Sequence, residues 1–202
     1  MPARAAAGIL RSTGSSVGAF GSSPFFAQLA PRRRAWQAGA MDDVPPLLIA
    51  WHSRTGGSEA LARAAAEGAG GAALRVAAAD VTPDMLLAAA GYLFVGPENL
   101  AALSGAMKEM FDRAYYPCLG RIEGRPYATI ICAGSDGENA QRQLDRIATG
   151  WRLRRVADPV IVNTDAQTPE AILAPKTIAP ERLAEARDLG AALAEGLAAG
   201  IF

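Results

Sequence analysis

From Leu47 onward, short apolar runs alternate with stretches of helical period, and this alternation restricts the fold more than any other feature of the chain. Strands are expected at 47–51 (LLIAW), 74–78 (LRVAA), 92–96 (YLFVG), 128–133 (ATIICA) and 159–163 (PVIVN). Most of these runs are apolar without alternation, as a strand covered on both faces requires. Strands separated by helical segments are the mark of βαβ units, so the sequence predicts an α/β domain on a parallel sheet.

The intervening segments support that reading. In SEALARAAAEGA (58–69), Glu59, Arg63 and Glu67 recur every four positions, forming one solvated stripe opposite a face of small residues suited to close packing. Thr82 followed by Pro83 is an N-cap and first-turn signal for a short helix over 83–90, stopped by Gly91. Over 104–115, Leu103, Met107, Met110, Phe111 and Ala114 share one face, while Lys108, Glu109, Asp112 and Arg113 share the other. Ala140, Leu144, Ile147, Ala148 and Trp151 align in the same way, and a last helix runs from Pro180 to about 199. The basic cluster Arg152, Arg154 and Arg155 follows a helix end, where positive charge is favourable; contact with a nicotinamide phosphate is the other reading.

Length and charge narrow the function classes. At 202 residues, half of them hydrophobic, the chain fits one well-filled domain. Residues 1–40 carry five Arg (Arg4, Arg11, Arg32, Arg33, Arg34) and no acid, leaving 15 basic and 20 acidic residues in the remainder. A mildly acidic body lacks the basic face that nucleic acid demands. No apolar run approaches the roughly 18 residues of a membrane span, so a soluble, cytoplasmic protein is expected. Residues 1–40 read as a disordered extension or as sequence ahead of a start at Met41, with a targeting segment as the other reading, and one domain covers 41–202. Cys118 and Cys132, with a single histidine in the chain, support neither a disulfide framework nor a zinc site.

Three polar loops follow strands: HSRTGGS after the first, GPENLAALS after the third and AGSDGEN after the fourth. Open parallel sheets bind ligands at such carboxyl ends. The first loop has two glycines that let backbone N–H groups approach a ligand, three hydroxyls (Ser53, Thr55, Ser58) and a helix directly behind it. A helix N-terminus can hold a phosphate without lysine. The loop is neither a Walker A sequence nor a G-x-G-x-x-G fingerprint. AGSDG (133–137) looks like a nucleophile elbow that would expose Ser135, yet the only histidine, His52, precedes it, whereas hydrolase order places the base last. His52 itself is either a residue at a strand end or a contact at a cofactor edge.

Together these loops and the strand order resemble the flavodoxin-like family, in particular its NAD(P)H-dependent FMN reductases and NAD(P)H:quinone oxidoreductases, over roughly 47–199. SRTGGS is similar to the family's phosphate loop, and VGPENLAALSGAMKEMFDR to the segment after its third strand, with Lys108, Asp112 and Arg113 in the helix. The resemblance implies a three-layer sandwich around a five-stranded parallel sheet, order 2-1-3-4-5, with helices on both faces. It implies FMN and NAD(P)H as cofactors. Ser53, Arg54, Thr55, Gly56, Gly57 and Ser58 would surround the FMN phosphate. Pro97, Glu98, Asn99, Leu100 and Ala101 would line one edge of the isoalloxazine, and Gly134, Ser135, Asp136 and Gly137 another. The implied activity is hydride transfer from NAD(P)H through the flavin to a quinone or similar small two-electron acceptor, by a homo-oligomer, with no side-chain acid or base required. The alternatives are an electron-carrier flavodoxin, a flavodoxin-like protein that has lost its flavin, and a serine hydrolase using Ser135.

Overall fold

The computed structural model describes residues 47–202. The expectations for residues 1–40 and for a start at Met41 lie outside the described residues. The elements in chain order are β1 (Leu47–Trp51), α1 (Gly57–Ala69), β2 (Ala73–Ala77), α2 (Pro83–Ala88), β3 (Gly91–Asn99), β4 (Ala102–Leu103), α3 (Gly105–Cys118), β5 (Pro126–Ala133), α4 (Glu138–Gly150), β6 (Arg154–Arg155), β7 (Val160–Asn163), α5 (Pro169–Leu173) and α6 (Pro180–Ala198).

The sheet runs β2-β1-β3-β5, and its far edge is shared by β6 and β7, which pair with successive parts of β5. All these pairings are parallel. The order is the expected 2-1-3-4-5, with the fifth strand in two pieces. Residues 156–159 interrupt it, and Pro159, which has no N–H to give a ladder, stands directly before β7. The remaining extra strand, β4, turns back antiparallel on β3.

Strand alternation sends side chains to two separate cores. Leu48, Ala50, Tyr92 and Phe94 pack with Leu86 of α2, Met107 and Phe111 of α3 and Leu144 of α4. Leu47, Ile49, Leu93 and Val95 face Leu61 and Ala65 of α1 and Leu193 of α6. The result is three layers. The expected α3 face is buried throughout, and in α4 Ala140, Leu144 and Ala148 are buried with Trp151 just beyond its end. The small face of α1 meets α6 as well as the sheet: a Cβ on Gly190 would lie 2.0 Å from the Ala65 carbonyl oxygen, so only glycine permits this crossing. Glu67 on the solvated stripe reaches Arg187 of α6 at 2.9 Å.

α2 ends at Ala88, two residues before the expected limit. Its last carbonyls are taken from outside the helix: Tyr92 Oη donates to Leu86 O at 2.7 Å, and Arg125 donates to Leu86 O, Leu87 O and Ala89 O. These bonds satisfy groups that a helix end leaves open, and they bring the chain directly into β3.

Candidate functional site

β1 is flanked by β2 on one side and β3 on the other, so the sheet reverses its winding between β1 and β3. The crevice outside the carboxyl ends of those two strands is where such folds bind ligands. All three polar loops open onto this edge.

The first loop begins at His52, whose backbone N–H donates to Val95 O at 3.0 Å and so ties it between β1 and β3. Ser53 Oγ accepts the Gly56 N–H at 3.0 Å, folding the loop into a tight turn. Gly56 caps α1 at φ +89°, a left-handed conformation that favours glycine. The N–H groups of Gly57, Ser58 and Glu59 then start the helix without acceptors inside it. A Cβ on Gly57 would lie 2.7 Å from Cys132 Sγ, so a larger residue there forces a neighbour to move. That contact joins the first loop to the end of β5.

Ser58 Oγ is buried without a hydrogen-bond partner among the described residues. The polar group beside it, the Cys132 thiol, is too weak a partner to satisfy a buried hydroxyl. Burial pushes that thiol's pKa up, opposed by Ser58 and by the charge of Lys176, so the thiol stays protonated. An orphaned hydroxyl, three open amides and the positive end of α1 form a donor set that fits a phosphate. The residues of this loop therefore fit the phosphate end of a flavin mononucleotide.

The segment after β3 is a two-residue hairpin. Asn99 pairs with Ala102 and Glu98 with Leu103, while Leu100 and Ala101 make the turn at φ +52° and +54°. Positive φ at both turn residues is the I′ geometry, which normally calls for Asn and Gly. Leu100 is fully exposed. Three side chains fasten the hairpin: Glu98 Oε2 accepts the Gly137 N–H at 2.9 Å, Gln143 Oε1 accepts the Leu103 N–H at 2.8 Å, and Asn139 Nδ2 donates to Ala101 O. Glu98 Oε1 and Asn99 Oδ1 are buried and have no partner among the described residues.

Thus Glu98 joins the second predicted loop to the third. Gly134 and Gly137 bracket exposed Ser135 and Asp136, and Asp136 Oδ1 accepts the Glu138 N–H at 3.3 Å. Among the described residues His52 and Ser135 share no hydrogen bond. His52 Nδ1 lies 2.9 Å from Ser104 Oγ, at the start of α3. Arg54 is exposed. Lys108 and Asp112 form an exposed ion pair one helical turn apart and belong to the solvated face of α3. Arg154 and Arg155 pair with Pro126 and Tyr127 at the opposite end of β5, away from the three loops, and Arg155 bonds Asp145 at 3.1 Å.

Two features of the site were not expected. The first is the segment between β7 and α6, which bonds both the first and the third loop: the Lys176 N–H donates to Thr55 O at 2.7 Å, and the Ala166 N–H to Gly134 O at 3.1 Å. Lys176 Nζ caps α5 through Ala171 O, Ile172 O and Ala174 O at 2.6, 3.0 and 2.7 Å. A signal for α5 was present: Thr168-Pro169 repeats the Thr82-Pro83 start of α2, and each threonine Oγ1 accepts the N–H three residues on. The second is the His52–Ser104 bond, for which no local pattern exists across 52 positions.

No protein-family model matches the chain, and no curated protein matches it. Solved structures do. A flavodoxin from the domain Archaea superposes with a TM-score of 0.61 at 16% identity, covering 75% of this chain and 98% of that one. A flavodoxin, WrbA-like protein from Agrobacterium tumefaciens gives 0.60 at 18%, over 75% and 96% of the two chains. Rubredoxin oxygen:oxidoreductase from Desulfovibrio gigas gives 0.60 at 15%, covering 77% of this chain and 36% of that one. Among the described residues, no helix is long and apolar enough to cross a membrane. The described part of the chain has the flavodoxin-like α/β fold, a parallel sheet in the order 2-1-3-4-5 between two helical layers.

Proposed function

We propose that the protein is an FMN-dependent oxidoreductase that uses NAD(P)H to reduce a quinone or similar small two-electron acceptor. The observation that carries this reading is the buried, unpartnered Ser58 Oγ at the N-terminus of α1, beside the β1/β3 crevice. When bound, flavin mononucleotide would supply two-electron redox chemistry between the nicotinamide and the acceptor. The chain's own residues bind and orient. Ser53, Thr55 and Ser58, with the amides of Gly57, Ser58 and Glu59, would hold the phosphate; Arg54, exposed beside them, adds positive charge. Pro97–Ala101 and Gly134–Gly137 would border the ring, with Glu98 and Gly137 keeping the two borders together.

The likeness to a WrbA-like protein and to an oxygen:oxidoreductase agrees with a redox role, and the homo-oligomer is carried over from the family resemblance. Likeness to flavodoxins favours a second reading, an electron carrier with no substrate of its own. Purified protein supplied with FMN separates the two. Oxidation of NADH or NADPH that depends on added quinone is expected. A yellow protein that oxidises neither nucleotide under any acceptor would overturn the reductase in favour of the carrier.

A further inference from the structure

His52 is the only histidine in the chain, and the predicted phosphate loop does not include it. It sits in the crevice between β1 and β3, held by its backbone bond to Val95 O. Its ring is held as well, with Nδ1 2.9 Å from Ser104 Oγ. Ser104 is completely buried, and it makes no side-chain cap to α3. Among the described residues its hydroxyl has one side-chain partner, His52 Nδ1.

That arrangement selects a tautomer. If Nδ1 carried the proton, the Ser104 hydroxyl hydrogen would be left buried without an acceptor, which is costly. If Ser104 donates to Nδ1, both groups are satisfied and the neutral ring carries its proton on Nε2. The second nitrogen is then a hydrogen-bond donor with no partner among the described residues, on a half-buried ring one residue ahead of the phosphate loop.

We propose that His52 is a further binding residue of this site, held by Ser104 as the neutral Nε2–H tautomer and donating that N–H to an oxygen of the phosphate-bearing chain of the flavin nucleotide. This inference rests on the flavin reading above. Burial lowers the His52 pKa, and the nearby Arg54 lowers it further. The N-termini of α1 and α3 begin five residues after His52 and directly after Ser104, and their positive ends also disfavour an imidazolium. A histidine kept neutral in this way donates a hydrogen bond without first having to be protonated.

Charged groups on the neighbouring elements are engaged elsewhere. Glu98 of β3 is on Gly137, Lys108 of α3 on Asp112, and Arg113 of α3 on Glu109 and the carbonyls of Ala78 and Val81. Asp80, on the turn after β2, is exposed.

Nitrogen-15 NMR of the imidazole tests the proposal without overlap, because one histidine gives one pair of ring signals. In the free protein above pH 7, Nε2 is expected to be protonated and Nδ1 bare, and Ser104→Ala should mix the tautomers. Adding FMN should move the Nε2 signal, and His52→Leu should weaken FMN binding about three- to tenfold, the size of one net hydrogen bond. A protonated Nδ1 in the free protein would overturn the Ser104 lock. FMN that binds, as read by quenching of its fluorescence, while both His52 signals stay still would overturn the contact. FMN that does not bind at all removes the flavin reading and the contact together, and leaves the tautomer to be judged in the free protein.

Discussion

The Glu98 carboxylate accepts the Gly137 N–H at 2.9 Å, so a side chain on β3 caps the N-terminus of α4. One bond thereby fixes the separation of two loops on which the proposed ring site depends. A carboxylate on a helix-terminal amide is a charge-assisted bond at the favourable end of the helix dipole. Glu98→Ala should lower stability by about 1–2 kcal/mol in urea unfolding. Glu98→Gln, which keeps an acceptor, should lose about half of that. Equal losses in the two variants would show that shape matters there more than charge.

The hairpin tip offers a stabilising change. Leu100 and Ala101 both lie at positive φ, and Leu100 makes no use of its apolar side chain because it is fully exposed. Replacing the pair by Asn-Gly supplies the residues that an I′ turn favours. The double variant should be more stable by about 1–2 kcal/mol, read as a rise in the urea midpoint with an unchanged slope. An unchanged midpoint would mean that the turn is not strained.

Gly57 and Cys132 form a tight pair that can be separated by mutation. Gly57→Ala places a methyl group 2.7 Å from Cys132 Sγ and 3.3 Å from Lys176 Cβ, and should cost about 1–3 kcal/mol as overpacking. Cys132→Ala makes room for the methyl, so in the double variant the Gly57→Ala cost should shrink to under about 1 kcal/mol. Additive losses would show that the clash is with the segment carrying Lys176 instead.

His52 also makes stability depend on pH. Its pKa in the fold is lowered from 6.5 by burial and by Arg54, so the unfolded chain binds a proton first as pH falls. Its contribution to stability is complete above pH 6.5 and is lost as pH falls from there through the lowered value. His52→Gln should remove that part of the acid-side decline in a series of unfolding curves from pH 8 to 5. The same decline in the variant would assign it to carboxylates.

Much of this fold was legible in the sequence because its elements announce themselves locally. The apolar runs at 47–51, 92–96 and 128–133 fall within β1, β3 and β5, and Thr82-Pro83 starts α2 where its chemistry says a helix should start. The three loops converge because parallel strands all carry their carboxyl ends to one edge. What escaped the sequence was either short or long-range. β4 and β6 are two residues each and exist only as partners of other strands. Leu100-Ala101 carries none of the turn chemistry that its conformation calls for, and nothing near Ser104 in the chain points to His52. Lys176 reaches the first loop through its backbone N–H, which no side-chain pattern could have revealed.

The central claim is that the first loop is built for a phosphate, and the most direct measurement compares FMN with riboflavin, which differ by that group alone. Fluorescence-quenching titrations of the purified protein should show FMN bound at least about tenfold more tightly than riboflavin, a difference of about 1.4 kcal/mol. That preference should disappear in Gly57→Val. Equal affinity for the two flavins, or no binding of FMN, would contradict the account.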